Sequence, residues 1–380
     1  MKFDNQLRYA TQIIDTYQGD IPLHAWLKDY FRANKQMGSR DRKQLSTLVY
    51  SFYRLGHAAN HLSIKDRLIT GLFLCTNQPS EFLAHFNKEY NDTIESPLQE
   101  KLAQTGINPL DIFPWKDELS PSIDHEAFCL SFLRQPDLFL RIRPGQENAV
   151  RAKLTEKETE FIPPTTIRLP NGFKVEDHLT PDKEVVIQDL SSQKVAEFLR
   201  TNNDPPHTFW DACAASGGKS ILAHDLYPDM DLTVSDIRES ILNNLRTRFA
   251  AAGIEKYHSF LVDLTQDKLP SLPIAHLVLA DVPCTGSGTW GRTPEDLFFF
   301  DPRKLNNYPI TQRKILTNIA SRLAPGAALA YCTCSVFKKE NEEMVTFLKE
   351  AFNLQPERTE NLIGYPHRAD TLFASRLSKL

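Results

Sequence analysis

Thr208-Phe209-Trp210-Asp211-Ala212-Cys213-Ala214-Ala215-Ser216-Gly217-Gly218-Lys219-Ser220 passes from an apolar stretch, through small residues and two glycines, into a helix-forming segment at Ser220–Leu226. Such a run reads as a short strand, a tight turn and a helix. The pattern repeats downstream. Strands are expected at Asp231–Ser235, Tyr257–Val262, His276–Ala280 and Ala327–Cys332, and helices at Glu239–Ala252, Ile310–Leu323 and Glu340–Ala351. Alternation of this kind predicts an α/β domain with a parallel, doubly wound sheet. Ligands on such sheets bind beyond the carboxyl ends of the strands, near the switch in strand order.

Upstream the periodicity differs. Residues 6–86 read as helical. Leu45, Leu48, Val49, Phe52, Tyr53 and Leu55 recur at helix spacing, with Ser39 and Asp41 as candidate caps. Residues 80–128 read as short helices broken by Pro97, Pro109, Pro114 and Pro121. Near Cys129 the pattern changes again. Leu138–Arg143 alternates as a strand, 147–158 reads as a helix, and Thr166–Leu169 is a strand before the turn at Pro170-Asn171-Gly172. Val185–Leu190 is another strand candidate, Ser192–Arg200 a helix, and 201–206 a polar connection. This piece has the size of an RNA-recognition-like half domain. The expected domains are 1–128, all helical; 129–205, a small α/β connector; and 206–380, the doubly wound domain.

Composition narrows the function. The 380 residues are 41% hydrophobic and 24% charged, as in a soluble globular chain. No apolar run is long enough to span a membrane, and the amino end lacks the apolar core of a signal peptide. The six cysteines form no paired framework, so free thiols in a reducing cytoplasm are expected. A net charge of −4 argues against a general nucleic-acid binder. Residues 1–67 are nevertheless locally basic, with Arg40, Arg42 and Lys43 among the cations, and a local basic face can bind phosphates. An ordinary solvated helix surface explains the same charges. A monomer is expected.

The loop from Cys213 to Lys219 admits competing readings. A phosphate-binding P-loop needs glycine where Cys213 stands, and the G-x-G-x-x-G dinucleotide fingerprint is absent. A plain strand-to-helix turn is the structural alternative. Asp236 ends the second strand, where an acid can accept ribose hydroxyls, and Asp263 ends the third, where it can accept an adenine amine. Singly, each acid reads as a helix cap or loop residue. Together with the glycine loop they describe an adenosine site without a phosphate cradle, which S-adenosylmethionine fits.

Asp281-Val282-Pro283-Cys284-Thr285-Gly286-Ser287-Gly288 follows the fourth strand, and Thr333-Cys334-Ser335 the fifth. Two strand ends can bring both thiols to one cleft, beside Asp281, and a thiolate there can attack an electrophilic carbon. The ordinary reading of a lone cysteine is a small buried apolar residue, which we keep for Cys75, Cys129 and Cys332. Zinc is a poor alternative because C-x-C lacks a C-x-x-C knuckle or a nearby histidine, so no metal is expected.

These residues resemble the Sun-type (NSUN or Fmu) family of RNA cytosine-5 methyltransferases. The family's D-x-C-A-A-P-G-G-K loop corresponds to Asp211–Lys219 and its D-A-P-C-S-G-x-G segment to Asp281–Gly288. Its T-C-S followed by E-N-E corresponds to Thr333-Cys334-Ser335 and Glu340-Asn341-Glu342. The match covers roughly residues 185–380. Ser39-Arg40-Asp41-Arg42, Leu48-Val49-Tyr50 and Arg54 look like the NusB-type helical RNA-binding domain of the bacterial 16S ribosomal RNA branch.

The resemblance implies a Rossmann-like class I S-adenosylmethionine-dependent methyltransferase domain behind a NusB-like domain, acting on ribosomal RNA or alternatively transfer RNA. It implies Cys334 as the nucleophile on cytosine C6, Cys284 as the residue aiding release, and Asp281 and Lys219 as groups orienting and polarising the base. The cofactor would be held by Cys213, Ala214, Ala215, Ser216, Gly217, Gly218 and Lys219, with Asp236, Asp263 and Asp281. Trp290 and Phe298–Phe300 would stack on RNA or pack in a core, and Arg292 would meet phosphate. Ser216 stands where the family has proline, which predicts a looser loop and weaker cofactor binding. Val282 stands for alanine, and Thr371-Leu372-Phe373-Ala374 for a G-F-F-type strand. The rival classes are a non-catalytic RNA-binding assembly factor, a methyltransferase for another acceptor, and a nucleotide hydrolase.

Overall fold

The computed structural model describes residues 2–154, 159–201 and 205–379. They form two compact units. The first comprises residues 1–117, 124–135 and 289–301, so a segment from within the doubly wound region belongs to the helical unit. The second comprises residues 118–123, 136–288 and 302–380.

The helical unit is built on Phe3–Thr16, Leu23–Ala33, Ser39–Arg54 and Ile64–Cys75, with shorter helices after them. Leu45, Leu48, Val49, Phe52, Tyr53 and Leu55 are all buried, as their spacing requires. The expected caps are corrected. The Ser39–Arg54 helix is preceded by Gly38 with no side-chain cap, and Asp41 lies inside its first turn, accepting from Gln6 Nε2 at 3.1 Å. An acid there still complements the helix dipole. Arg54 is 3% exposed and donates to the carbonyls of Phe132 (2.9 Å) and Gly291 (3.0 Å), so it faces inward. The aromatic segment also packs inward. Trp290 is buried, and Phe298 lies 5.3 Å from Tyr53, ring centre to ring centre.

In the second unit, β1 (Leu138–Ile142), β2 (Glu160–Ile162), β3 (Thr166–Leu169) and β4 (Val185–Ile187) form an antiparallel sheet where they are paired, in the order β2-β3-β1-β4. The expected helix over 147–158 runs Glu147–Lys153, and residues 155–158 lie outside the described residues. Residues 202–204 of the expected 201–206 connection lie outside them too. The helix expected at Ser192–Arg200 is two short ones, Leu190–Lys194 and Ala196–Leu199.

The central sheet contains β5 (Thr208–Asp211), β6 (Asp231–Asp236), β7 (His258–Leu261), β8 (Ala275–Asp281), β9 (Leu323–Thr333), β10 (Leu354–Leu362) and β11 (Leu372–Lys379). Their order is β10-β11-β9-β8-β5-β6-β7. β5 to β9 pair in parallel, as expected, while β11 runs antiparallel to both β9 and β10. The wholly parallel sheet is thereby corrected. Parallel strands need a long crossover, and the short link from Leu362 to Leu372 permits only an antiparallel return.

Successive residues on the buried strands feed opposite faces. Phe209, Leu277, Leu279 and Ala330 pack with Leu242, Leu245 and Phe249 on one face. Trp210, Val278, Ala280 and Tyr331 pack with Ile315, Ile319 and Met344 on the other. Chain order reverses between β5 and β8, which opens the crevice at their carboxyl ends. The sheet order, with packed helices on both faces, makes this a Rossmann-like α/β fold, with an amino-terminal helical region.

Candidate active site

The loop after β5 runs from Ala212 to Gly217 and leads into the helix Gly218–Leu226. Its backbone reverses through positive φ at Ala215 (46°) and Gly217 (82°). Gly217 is obligatory here, because a Cβ would lie 2.8 Å from the Phe249 ring and 3.0 Å from Leu245. The Ala214 amide donates to Ser235 O at 2.8 Å, and the Ala215 amide to the Asp236 carboxylate at 3.0 Å. The loop is therefore latched to the end of β6.

A cavity of about 480 Å3 opens at the strand ends. Cys213, Ala215, Asp236, Asp263, Asp281, Cys284 and Cys334 line it. These predicted residues come together. Ala214, Ser216, Gly217, Gly218 and Lys219 are not on its wall: the first three form the turn behind it, and Gly218 and Lys219 open the helix that follows. Lys219 instead donates to Asp281 Oδ2 at 2.7 Å. Burial alone would lower its pKa, but the Asp281 carboxylate overcomes that and holds the ammonium above its ordinary range. Asp263 has both oxygens engaged locally, with Thr265 Oγ1 at 2.6 Å and Gln266 Nε2 at 2.7 Å, and these bonds depress its pKa. Asp236 likewise accepts from the Arg238 amide at 2.9 Å.

The thiols of Cys284 and Cys334, 50 residues apart in the chain, lie 3.3 Å apart. Register explains the approach. Asp281 on β8 pairs with Cys332 on β9, so the two loops leave adjacent strands side by side. Gly288 brings them closer, donating its amide to Cys334 O at 2.9 Å. A Cβ on Gly288 would sit 1.8 Å from Thr371 O. The hydrogen bond to Cys334, burial and nearby charge raise the Cys284 pKa well above the usual thiol range.

Glu340 opens the Glu340-Asn341-Glu342 run, and nothing in the sequence marks its role. It is fully buried, and it accepts from the Thr285 amide (2.9 Å), from Thr285 Oγ1 (2.7 Å) and from Ser335 Oγ. It thus ties the Cys284 loop to the Cys334 loop. Asn341 adds bonds to Thr333 Oγ1 (2.6 Å) and Ser335 O (2.9 Å). Burial raises the Glu340 pKa. Glu340→Gln replaces one acceptor oxygen by a donor facing donors. It is expected to slow turnover by about 10- to 100-fold with cofactor affinity unchanged. Steady-state rates beside equilibrium cofactor titration check this, and an unchanged turnover number would refute the clasp.

Asp211, another residue without an assigned role, is 1% exposed and accepts from Ser220 Oγ at 2.6 Å. Its other carboxylate oxygen is buried without a partner. Burial pushes its pKa from 3.8 up to about 7. The folded state therefore binds the proton more tightly than the unfolded state. The associated stability is present below pH 3.8 and is lost as pH rises towards about 7. Asp211→Asn, which cannot ionise, should flatten this part of the stability profile. Urea midpoints between pH 4 and pH 8 measure it, and parallel wild-type and variant profiles would refute it.

Among the described residues no group of histidine, cysteine and acidic side chains could hold a metal ion. No helix there is long and apolar enough to cross a membrane.

Residues 197–375 match the family described as 16S rRNA methyltransferase RsmB/F. Over 281 residues the chain is 26% identical to a probable ribosomal RNA small subunit methyltransferase B of Synechocystis sp., covering 67% of this chain and 63% of the relative. Over 277 residues it is 27% identical to the protein of the same name in Bacillus subtilis, covering 70% of this chain and 61% of the relative. The chain thus spans about three fifths of the length of these relatives. The crystal structure of PH0851 superposes with a TM-score of 0.66 at 19% identity, covering 93% of both chains. A methyltransferase homologue from Pyrococcus horikoshii superposes with a TM-score of 0.56 at 19% identity, covering 74% of this chain and 98% of that one. The two structural likenesses show the fold, and the sequence of residues 197–375, a little under half of the chain, is similar to the family of 16S rRNA methyltransferases RsmB/F.

Proposed function

We propose that this protein transfers a methyl group from S-adenosylmethionine to C5 of a cytosine in RNA, with 16S ribosomal RNA as the substrate. The observation that carries the reading is the pair of thiols 3.3 Å apart at a cavity of matching chemistry. The charged side chains on its wall are Asp236, Asp263 and Asp281 against Arg238 alone. That excess of carboxylates suits a sulfonium and an amino group and repels phosphates. The lysine a nucleotide hydrolase would use is tied to Asp281. The cavity therefore favours a nucleoside without phosphates, with Asp236 and Asp263 as acceptors for its hydroxyls and amine.

Cytosine C5 is a weak nucleophile. Addition of the Cys334 thiolate to C6 forms a C–S bond and moves electron density to C5, which then takes the methyl group from the sulfonium, leaving a thioether. Loss of the C5 proton and cleavage of the C6–S bond restore the aromatic ring and the thiolate. Two thiols so close cannot both ionise readily. Cys284, with its raised pKa, stays neutral and can donate its S–H to Cys334. Once Cys334 is bonded to carbon, the opposing charge is gone; Cys284 can then release its own proton to solvent and, as a thiolate, take the C5 proton, which returns it to the thiol. Asp281, gripped by Lys219, presents a carboxylate to the amine edge of the base. The cytosine must be unpaired or flipped out to reach the thiols. The helical residues 1–128 are assigned to holding RNA, and the connector 129–205 to joining them to the catalytic part. This reading places the protein in the cytoplasm.

The test is methylation of total RNA from cells lacking this protein, with labelled S-adenosylmethionine. Label mapped to one 16S cytosine supports the proposal. Label on transfer RNA replaces the substrate, and cofactor binding without label on any RNA sinks the methyltransferase reading in favour of a binding protein.

A further inference from the structure

The serine at position 216 predicts a looser cofactor loop, yet its carbonyl and hydroxyl are both tethered. Arg248 Nη1 donates to Ser216 O at 3.1 Å and to Ser216 Oγ at 3.1 Å. The other side of the same guanidinium grips Asp182, with Nε to Oδ2 at 2.9 Å and Nη2 to Oδ1 at 2.7 Å. Asp182 is 9% exposed and held in turn. Its amide donates to Val185 O at 2.7 Å, and its carbonyl accepts from Arg143 Nη1 at 3.0 Å. Arg143 follows β1 and Val185 begins β4. Arg248 lies on the helix Glu239–Ala252 beside Leu245 and Phe249, the two side chains against which Gly217 is packed. One helix face therefore both shapes the turn and bolts it to the four-stranded sheet.

We propose that Arg248 is a positioning residue for the cofactor, setting the Ala212–Gly217 loop by bridging Ser216 to Asp182. The inference rests on the functional reading above for its ligand, but the clamp itself does not. A planar guanidinium with five fixed donors can span two acceptors at once, whereas an ammonium on a flexible stem is a point charge. The bridge thus depends on arginine rather than on positive charge. The four-stranded sheet becomes part of the cofactor site without touching the cofactor.

The experiment compares wild type with Arg248→Ala, Arg248→Lys and Asp182→Asn in the full chain. Hydrogen exchange of the Ala214, Ala215 and Gly217 amides reads the loop without any ligand. Exchange is expected to quicken about tenfold or more in all three variants, with other strand-end amides unchanged. The Michaelis constant for S-adenosylmethionine is expected to rise about tenfold, with the turnover number at saturating cofactor within about twofold of wild type. Unchanged exchange in Arg248→Ala, or full function in Arg248→Lys, overturns the clamp. A fall in turnover number at constant Michaelis constant also overturns it, since that assigns Arg248 to chemistry or general folding. Quickened exchange in a protein whose wild type binds no S-adenosylmethionine upholds the clamp and refutes the functional reading instead.

Discussion

Cys334→Ala is expected to lower methyl transfer by about 10⁴-fold or more while leaving cofactor affinity within about twofold. Without the thiolate no C6 adduct forms, and C5 stays a weak nucleophile however well the methyl donor is held. Truncation removes one sulfur from a cavity whose other walls come from separate elements, so the cofactor site should survive. Single-turnover methylation beside equilibrium binding checks both halves. Residual turnover near wild type would remove Cys334 from the nucleophile's role. If Cys284→Ala alone abolished transfer, the order of the two thiols would be reversed, as in an enzyme that attacks from the Pro-Cys segment.

Cys284→Ala is expected to trap covalent RNA on the protein. If Cys284 takes the C5 proton, its removal leaves addition and methyl transfer possible but slows elimination. The C6–S bond then persists through denaturation. A denaturing gel should show a slowly migrating species that contains both RNA and protein, requires S-adenosylmethionine, and vanishes in Cys284→Ala/Cys334→Ala. Turnover should fall by about 10²- to 10⁴-fold, the range for loss of a general base. With the sulfurs 3.3 Å apart, a base bonded to one would lie within reach of the other, so the single and double variants are needed to separate the two roles. Absence of the adduct at conditions where wild type turns over would refute the release role.

The chemistry-bearing residues were legible because each lies at the end of a strand that announces itself locally. Apolar runs before Asp211, Asp236, Asp281 and Thr333 mark β5, β6, β8 and β9. A parallel sheet gathers those ends on one edge, so reading the strands was nearly reading the cavity wall. β10 carries no such mark, since Leu354–Leu362 is exposed at most positions and lacks an apolar pattern. Ser39 and Asp41 misled because the helix begins one residue earlier than a serine cap would need.

Sequence alone determined the α/β alternation, the loop that must contain Gly217, and the two cysteines facing one crevice. Each follows from periodicity, turn chemistry and the hand of the crossover, which act over short stretches of chain. Tertiary structure decided which polar groups meet. Lys219 turns to Asp281, Glu340 joins Thr285 to Ser335, and Arg248 bridges Ser216 to Asp182. Residues 289–301 join the helical unit rather than the sheet. These partners are far apart in the chain, and a charged or polar side chain carries no local mark of its partner. Its choice is made only when burial strips its water and the packed backbone leaves one acceptor within reach.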